Sequence, residues 1–218
     1  MFRLTFLLIS FSALSTHLQA QVVWSFEFMP GLGLAAPSPL SIRQEGQPDL
    51  KFRTSWKTES FKFPLYYSYR LARYKNGKGW ELEMNHLKLR AKDLPAEVQH
   101  FSITHGFNHI WLNHALITRH FTWKIGAGVV LAHPENSVRG RKLDGNKGIN
   151  GTGYYIGGPT IHTGIQRRID LAKHFFLPIE GKISFAYTHV PVEGGRARVP
   201  VVALHLLTGL GLRTKQKK

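Results

Sequence analysis

Phe61-Lys62-Phe63-Pro64-Leu65-Tyr66-Tyr67-Ser68-Tyr69-Arg70-Leu71 places an apolar or aromatic residue at every odd position. Lys62, Ser68 and Arg70 occupy even positions. A strand sends alternate side chains to opposite faces, so this segment reads as a strand with one greasy face and one wet face. A soluble sandwich, or a soluble barrel with its apolar face inward, shares that pattern; segment length, segment number and the connections decide among them. The same period recurs along the chain. Eight segments carry it: Val22 to Met29, Ser60 to Leu71, Trp80 to Leu89, Val98 to His109, Phe121 to Ala132, Tyr154 to Gln166, Phe175 to Thr188 and Val201 to Leu212. Their lengths suit the ~9–11 residues that a tilted membrane strand needs.

The connections alternate in length. Asn76-Gly77, between the second and third segments, is a strong short-hairpin signal. Arg167 to His174 is also short, whereas Pro30 to Glu59 and His133 to Gly153 are long. Placing both long stretches on one side of a membrane and the short ones on the other matches the asymmetry of transmembrane barrels. Leu50 to Lys57 also alternates and reads as a strand extension, a hairpin in the first loop or an extra strand. Ile110 to Arg119 either prolongs the fourth strand or turns at the interface. Past Met84 the apolar residues switch to Leu87 and Leu89, which suggests either a bulge near Asn85-His86 or a strand that has left the membrane by His86.

Residues 1–20 read as an export signal: Arg3, an apolar run from Leu4 to Leu14, and Leu18-Gln19-Ala20 before the cleavage point. The barrel is expected over residues 21–212, and residues 213–218 form a basic tail. Cysteine is absent, so this exported chain has no disulfides to hold it. Beyond the signal no run reaches the ~18 apolar residues of a membrane helix. The net charge of +16 would suit nucleic acid, but export argues against that partner and favours an anionic membrane surface.

The inward face of such a barrel should carry its charges. Charge on the lipid side costs roughly 2–4 kcal/mol per Lys or Arg at the bilayer midplane. The expected interior network is Glu27, Lys62, Arg70, Glu81, Glu83, Lys124, Glu180 and Lys182, balanced in sign. Eight strands enclose just enough space for side chains to fill, so no open channel is expected. Trp24, Tyr67, Tyr69, Trp80, Trp123 and Tyr187 are candidates for interfacial girdles.

With these features the chain resembles the small outer-membrane β-barrel proteins of Gram-negative bacteria. The resemblance covers Gln21 to Leu212 and rests on pattern rather than on a fingerprint motif. It implies an all-β fold: an eight-stranded antiparallel transmembrane β-barrel with long extracellular loops and short periplasmic turns, in the outer membrane, as a monomer contacting lipid and lipopolysaccharide. Those proteins end in an aromatic residue, whereas this chain ends Leu212-Arg213-Thr214-Lys215-Gln216-Lys217-Lys218.

Three functions fit that architecture. The first is a structural or surface-interaction protein that contacts lipopolysaccharide through Arg139, Arg141, Lys142 and Lys147 in the loop from His133 to Gly153. The second is a lipid A-modifying enzyme, a deacylase or acyltransferase. His100-Phe101-Ser102 is similar to the His-x-Ser pair of the outer-membrane lipid A deacylases, which use it with a later Glu on the lipid-facing wall. That similarity implies His100 and Ser102 as catalytic candidates, with Glu83 from the adjacent strand. The residues after Ser102, Ile103-Thr104, depart from that family, and alternation points His100 and Ser102 inward. His105, between Ile103 and Phe107 on the expected lipid face, is a further candidate. The third function is a small-solute channel. His105 and His109 have zinc-like i, i+4 spacing, but on a strand that spacing is too long to share an ion, so no metal and no cofactor are expected.

Overall fold

The computed structural model describes residues 22–214; the expected signal segment and the end of the basic tail lie outside them. The described chain is all β apart from one 3-10 turn, Ile149–Gly151. In chain order the strands are β1 (Val22–Ala35), β2 (Ser38–Gln44), β3 (Leu50–Thr54), β4 (Trp56–Lys57), β5 (Tyr67–Lys75), β6 (Lys78–Ala91), β7 (Val98–Ile117), β8 (Thr122–Ala132), β9 (Glu135–Val138), β10 (Arg141–Lys142), β11 (Tyr155–Asp170), β12 (Phe175–Val192), β13 (Gly195–Thr208) and β14 (Leu210–Arg213).

A closed antiparallel ring runs β1–β5–β6–β7–β8–β11–β12 and returns to β1 through β13 and its continuation β14. This is an eight-stranded barrel, with β13 and β14 counted as one interrupted strand. Asn76-Gly77 makes the tight turn between β5 and β6, both residues at positive φ. Residues 110–117 prolong β7, the first of the two alternatives read from sequence. Residues 50–57 divide: β3 pairs β2 as a hairpin in the first long connection, and β4 pairs the upper end of β6.

The lower half of the barrel, next to the short turns, is polar inside and apolar outside. Trp24, Phe26, Leu71, Leu82, Leu112, Ile125, Ile161, Ile183, Leu204 and Leu212 are all exposed on its wall. Such a continuous apolar band is unstable against water and requires hydrocarbon around it. Trp24, Trp80 and Trp123 lie near the short turns, and Tyr67, Tyr69 and Tyr187 toward the other end.

Within the lower lumen Arg70 bonds four carboxylates: Glu27 at 2.8 Å, Glu81 at 3.1 Å, Glu83 at 2.8 Å and Glu180 at 2.7 Å. Lys124 reaches Glu180 at 2.8 Å, Lys182 pairs with Glu83 and Glu180, and Arg168 closes on Glu27 at 2.8 Å. Arg168 falls in the expected short connection from Arg167 to His174, yet its even-number parity with Gln166 places it inside. Lys62 is a correction. It is exposed and bonds Glu59 at 3.0 Å outside the barrel. Above the ionic layer lies a ring-rich layer: His109 stacks on Trp111 at 4.5 Å, His162 tilts against Trp111 at 4.3 Å, and Tyr66 Oη meets His205 Nδ1 at 2.7 Å.

The upper half inverts this order. Leu87, Leu89, Phe101, Ile103, Phe107, Leu40, Ile42 and Val199 form one buried apolar core inside the ring. The expected bulge at Asn85-His86 is therefore corrected. On β6 the inward residues run Glu81, Glu83, Asn85, Leu87, Leu89, Ala91 without a change of parity. What changes is the chemistry of the lumen, from ionic to apolar. For the same reason Phe101, Ile103 and Phe107 face the core, not lipid, and His100 and Ser102 lie on the opposite face of β7, not inward.

The opening stretch of sequence is itself only half strand. β5 begins at Tyr67, and residues 58–66 form a strap over the seam where β1 rises past Pro30 beyond β5. Pro64 has no N–H to continue a ladder. The Gly33 N–H bonds Ser60 Oγ at 3.1 Å, and the Ser60 hydroxyl donates to Gly33 O. Phe61 and Phe63, expected on a strand face, stand out from the strap at 79% and 92% exposure.

Candidate functional site

Two backbone irregularities face each other where the lower half meets the upper. On β7, residues 103–107 span the step that Leu87–Leu89 covers on β6, so the strand bulges at 104–106. Gly106 sits there at φ 155°, a conformation that side chains resist. On the other flank of β7, partner β8 ends at Ala132 and β9 resumes at Glu135, with Pro134 in the gap. The His133 N–H bonds Gly106 O at 2.8 Å and ties the two breaks together. Bulges re-aim side chains, and this one turns His105 outward although Ile103 and Phe107, of the same parity, are buried.

His105 Nδ1 then lies 2.7 Å from Glu135 Oε1. The His105 and His133 rings are 5.3 Å apart. Tyr154 packs edge-on against His133 at 4.9 Å and donates its hydroxyl hydrogen to His105 O at 2.9 Å. The polar strip continues along the wall. His86 Nδ1 meets Asn108 Oδ1 at 2.8 Å, and Tyr67 stacks on His86 at 5.1 Å. His109, the spacing partner of His105, points into the lumen, so that pair is not brought together.

His100 Nε2 is 2.9 Å from Ser102 Oγ, but Ser102 is wholly buried. Among the described residues no carboxylate bonds His100. Glu83 lies in the lumen with Arg70 and Lys182, away from that pair. The triad His100–Ser102–Glu83 is therefore not assembled, because Glu83 points inward on β6 while the pair lies on the outer face of β7. His100 does share a cavity of about 490 Å³ with His133, Glu135, Asn136 and Lys142.

The loop cations behave unequally. Arg139 is bound to protein acceptors, Gln44 Oε1 at 3.1 Å and Pro48 O at 2.8 Å. Lys147 meets Glu193 at 3.5 Å. Arg141 and Lys142 are exposed and make no ion pair among the described residues. A denser cationic group, missed in the sequence, sits elsewhere on the outer wall. Arg43, Lys51, His189, Arg196 and Arg198 line a cleft of about 290 Å³ with one acid, Asp49. Arg43 lies directly opposite Arg196 in the ladder, and among the described residues Asp49 pairs only with Arg43, at 3.0 Å. The alternation of Arg196, Ala197 and Arg198 is the available signal, in a stretch that lies between the expected segments Phe175 to Thr188 and Val201 to Leu212.

A third basic cluster surrounds the strap. Glu59 bonds Lys62 at 3.0 Å and Lys57 at 3.4 Å, with Arg90 at 3.7 Å. The Lys62 ammonium, more than any other neighbour, holds the Glu59 carboxyl below its ordinary range.

No protein-family model matches this chain, and no curated protein matches it. Among solved structures, Ail of Yersinia pestis is similar at 9% identity over 89% of this chain and 99% of its own, with a TM-score of 0.39. OprG from Pseudomonas aeruginosa is similar at 11% identity over 90% and 98%, with a TM-score of 0.44. The outer membrane protein AlkL is similar at 11% identity over 92% of each chain, with a TM-score of 0.47. All three are small outer-membrane β-barrel proteins, the class that the alternation of this chain resembles.

Proposed function

We propose that this protein is a monomeric outer-membrane surface protein with a closed lumen, and that it holds lipopolysaccharide by its phosphates. The observation that carries the reading is the Arg43–Arg196 pair in its cleft. Like charges directly opposite on a sheet destabilise it, and Lys51, Arg196 and Arg198 have no carboxylate partner among the described residues. Among the described residues Asp49 is engaged by Arg43 alone, so an anion at that cleft would neutralise the cations that Asp49 leaves unpaired, and arginine forks suit phosphate geometry. Arg198 also reaches the Tyr187 hydroxyl at 3.4 Å, next to the upper aromatic rim, the depth at which headgroup phosphates lie. Phe61 and Phe63, beside Lys57, Lys62 and Lys88, supply a second contact with apolar anchors. Arg141 and Lys142 add free cations farther out.

The test is binding of phosphorylated and dephosphorylated lipid A to the folded protein in detergent. The native chain should prefer the phosphorylated form, and a variant with Arg43, Arg196 and Arg198 changed to Ser should lose at least about tenfold in affinity. Equal affinity of native and variant protein removes this reading. The closed lumen is supported by the ionic and aromatic layers and by the apolar core, and planar-bilayer recordings should be silent. One observation favours a second reading, a lipid A-modifying enzyme: the His100–Ser102 hydrogen bond. Lipid A mass spectra from cells with and without the gene decide that, and identical spectra remove it.

A further inference from the structure

We propose that His105, His133 and Glu135 form a binding site for a zinc-class divalent cation on the outer wall. One nitrogen from each histidine and one carboxylate oxygen already lie within 4.8 Å of one another. Zinc bonds nitrogen and oxygen at about 2.0–2.2 Å in a tetrahedron, so its ligands sit roughly 3.3–3.5 Å apart by the same geometry. Opening the 2.7 Å His105–Glu135 hydrogen bond by less than about 1 Å, and closing His133 by up to about 1.5 Å, makes room for the ion. Two nitrogens and one oxygen suit zinc or another late first-row metal; calcium and magnesium prefer oxygen-only sets.

Three further features point to a ligand here. His133 Nδ1 is buried without a hydrogen-bond partner. Orphaned buried polar atoms are uncommon and call for an unseen partner. Glu135 pairs with no Lys or Arg among the described residues, so its charge is not already neutralised. The surroundings hold the two rings in place. Gly153 lies at φ 74°, and a Cβ there would come within 2.4 Å of His133 Nε2, so only glycine leaves space for the imidazole. Tyr154 braces both histidines, through its ring on one and its hydroxyl on the backbone of the other. Metal ligands are commonly oriented by such outer contacts.

Three protein ligands leave a fourth position open, as in zinc sites that bind water or substrate. Glu135 and His133 also line the 490 Å³ cavity, so that position faces a space that admits water or a sugar or phosphate oxygen. The ion would turn a His–Glu contact into a fixed positive centre at the lipid–water boundary.

The experiment uses the full processed chain, folded in detergent and washed with chelator. Zinc is titrated against a competing chromophoric chelator, and cobalt is added separately for its absorption spectrum. The expected result is one site per chain, a tetrahedral cobalt spectrum, and no competition from calcium or magnesium. His133→Gln and Glu135→Gln should each weaken zinc binding by at least about tenfold, whereas His100→Gln, in the same cavity but not among the proposed ligands, should not. Heat-modifiable gel migration shows that each variant is folded. Zinc binding that is absent, that exceeds one site per chain with no change in the variants, or that falls equally in His100→Gln overturns the proposal.

Discussion

The lower and upper halves of this barrel are built on the same strands with opposite chemistry. Below, ions are inside and apolar groups outside; above, Leu87, Phe101 and Ile103 are inside and Arg90, Gln99 and Arg196 outside. β6 passes through both halves with one unbroken parity, from Glu81 to Ala91. A strand does not need to slip in order to invert its apolar face. It needs only to leave hydrocarbon for water, because whichever face meets water must be polar. The bulge of β7 and the gap at Pro134 lie at that crossover, where the wall must reconcile two packings.

The contrast is tested most severely at Arg70. Arg70→Leu leaves Glu27, Glu81, Glu83 and Glu180 short of their shared cation, and removing one member of a buried ion network costs about 3–5 kcal/mol. Denaturant unfolding in detergent, read by gel migration, should show a loss at least that large. A near-neutral result would mean that water, not Arg70, compensates those carboxylates.

Phe101→Ala probes the other half. Emptying a buried aromatic site costs about 3–5 kcal/mol. The loss should be confined to the upper half, with hydrogen exchange accelerating in β2 and β9 while β11 and β12 stay protected below the crossover. Uniform loss of protection would show that the two halves unfold as one.

Ile125→Arg places a charge on the lower wall, where hydrocarbon makes it cost roughly 2–4 kcal/mol. Gln99→Arg, on the outer face of the upper half, gives up two exposed hydrogen bonds to Ala96 O and the Gly140 N–H but meets no hydrocarbon, so it should cost no more than about 1 kcal/mol. Equal effects would mean that the boundary between the halves is misplaced.

The smallest effect is the pH response of the strap. Lys62 depresses the Glu59 pKa, so ionised Glu59 stabilises the strap above the ordinary carboxylate range, near pH 4.3. That stability is lost as pH falls through the lowered folded value. Because its partners Lys57, Lys62 and Arg90 are exposed to solvent, the effect should stay under about 1 kcal/mol. Exchange of the Tyr66 amide, which bonds Ser60 O, should quicken on acidification in the native chain and not in Glu59→Gln.

Most of the ring could be read from residue order. Seven of the eight expected segments coincide with ring strands, and the Asn76-Gly77 turn lies where its residues require φ above zero. The Ser60 to Tyr66 half of the remaining segment misled because a strap that exposes Phe61 and Phe63 and buries Tyr66 imitates strand alternation while pairing with nothing along Pro64. The candidate site was only partly legible. His105 and His86 stood out as polar residues at odd places, but His133 and Glu135 looked like ordinary loop residues, since nothing local shows that a gap in one strand will face a bulge in the next.

Alternation along the chain determined which residues share a face, because a two-residue period is a local property of extended backbone, and the length, number and spacing of the segments made a barrel the expected closure. Period carries no sign. Which face is the inside at each height depends on what surrounds the wall there, and only the closed tertiary structure decided where lipid-like packing ends, where β7 bulges, and which histidines emerge together.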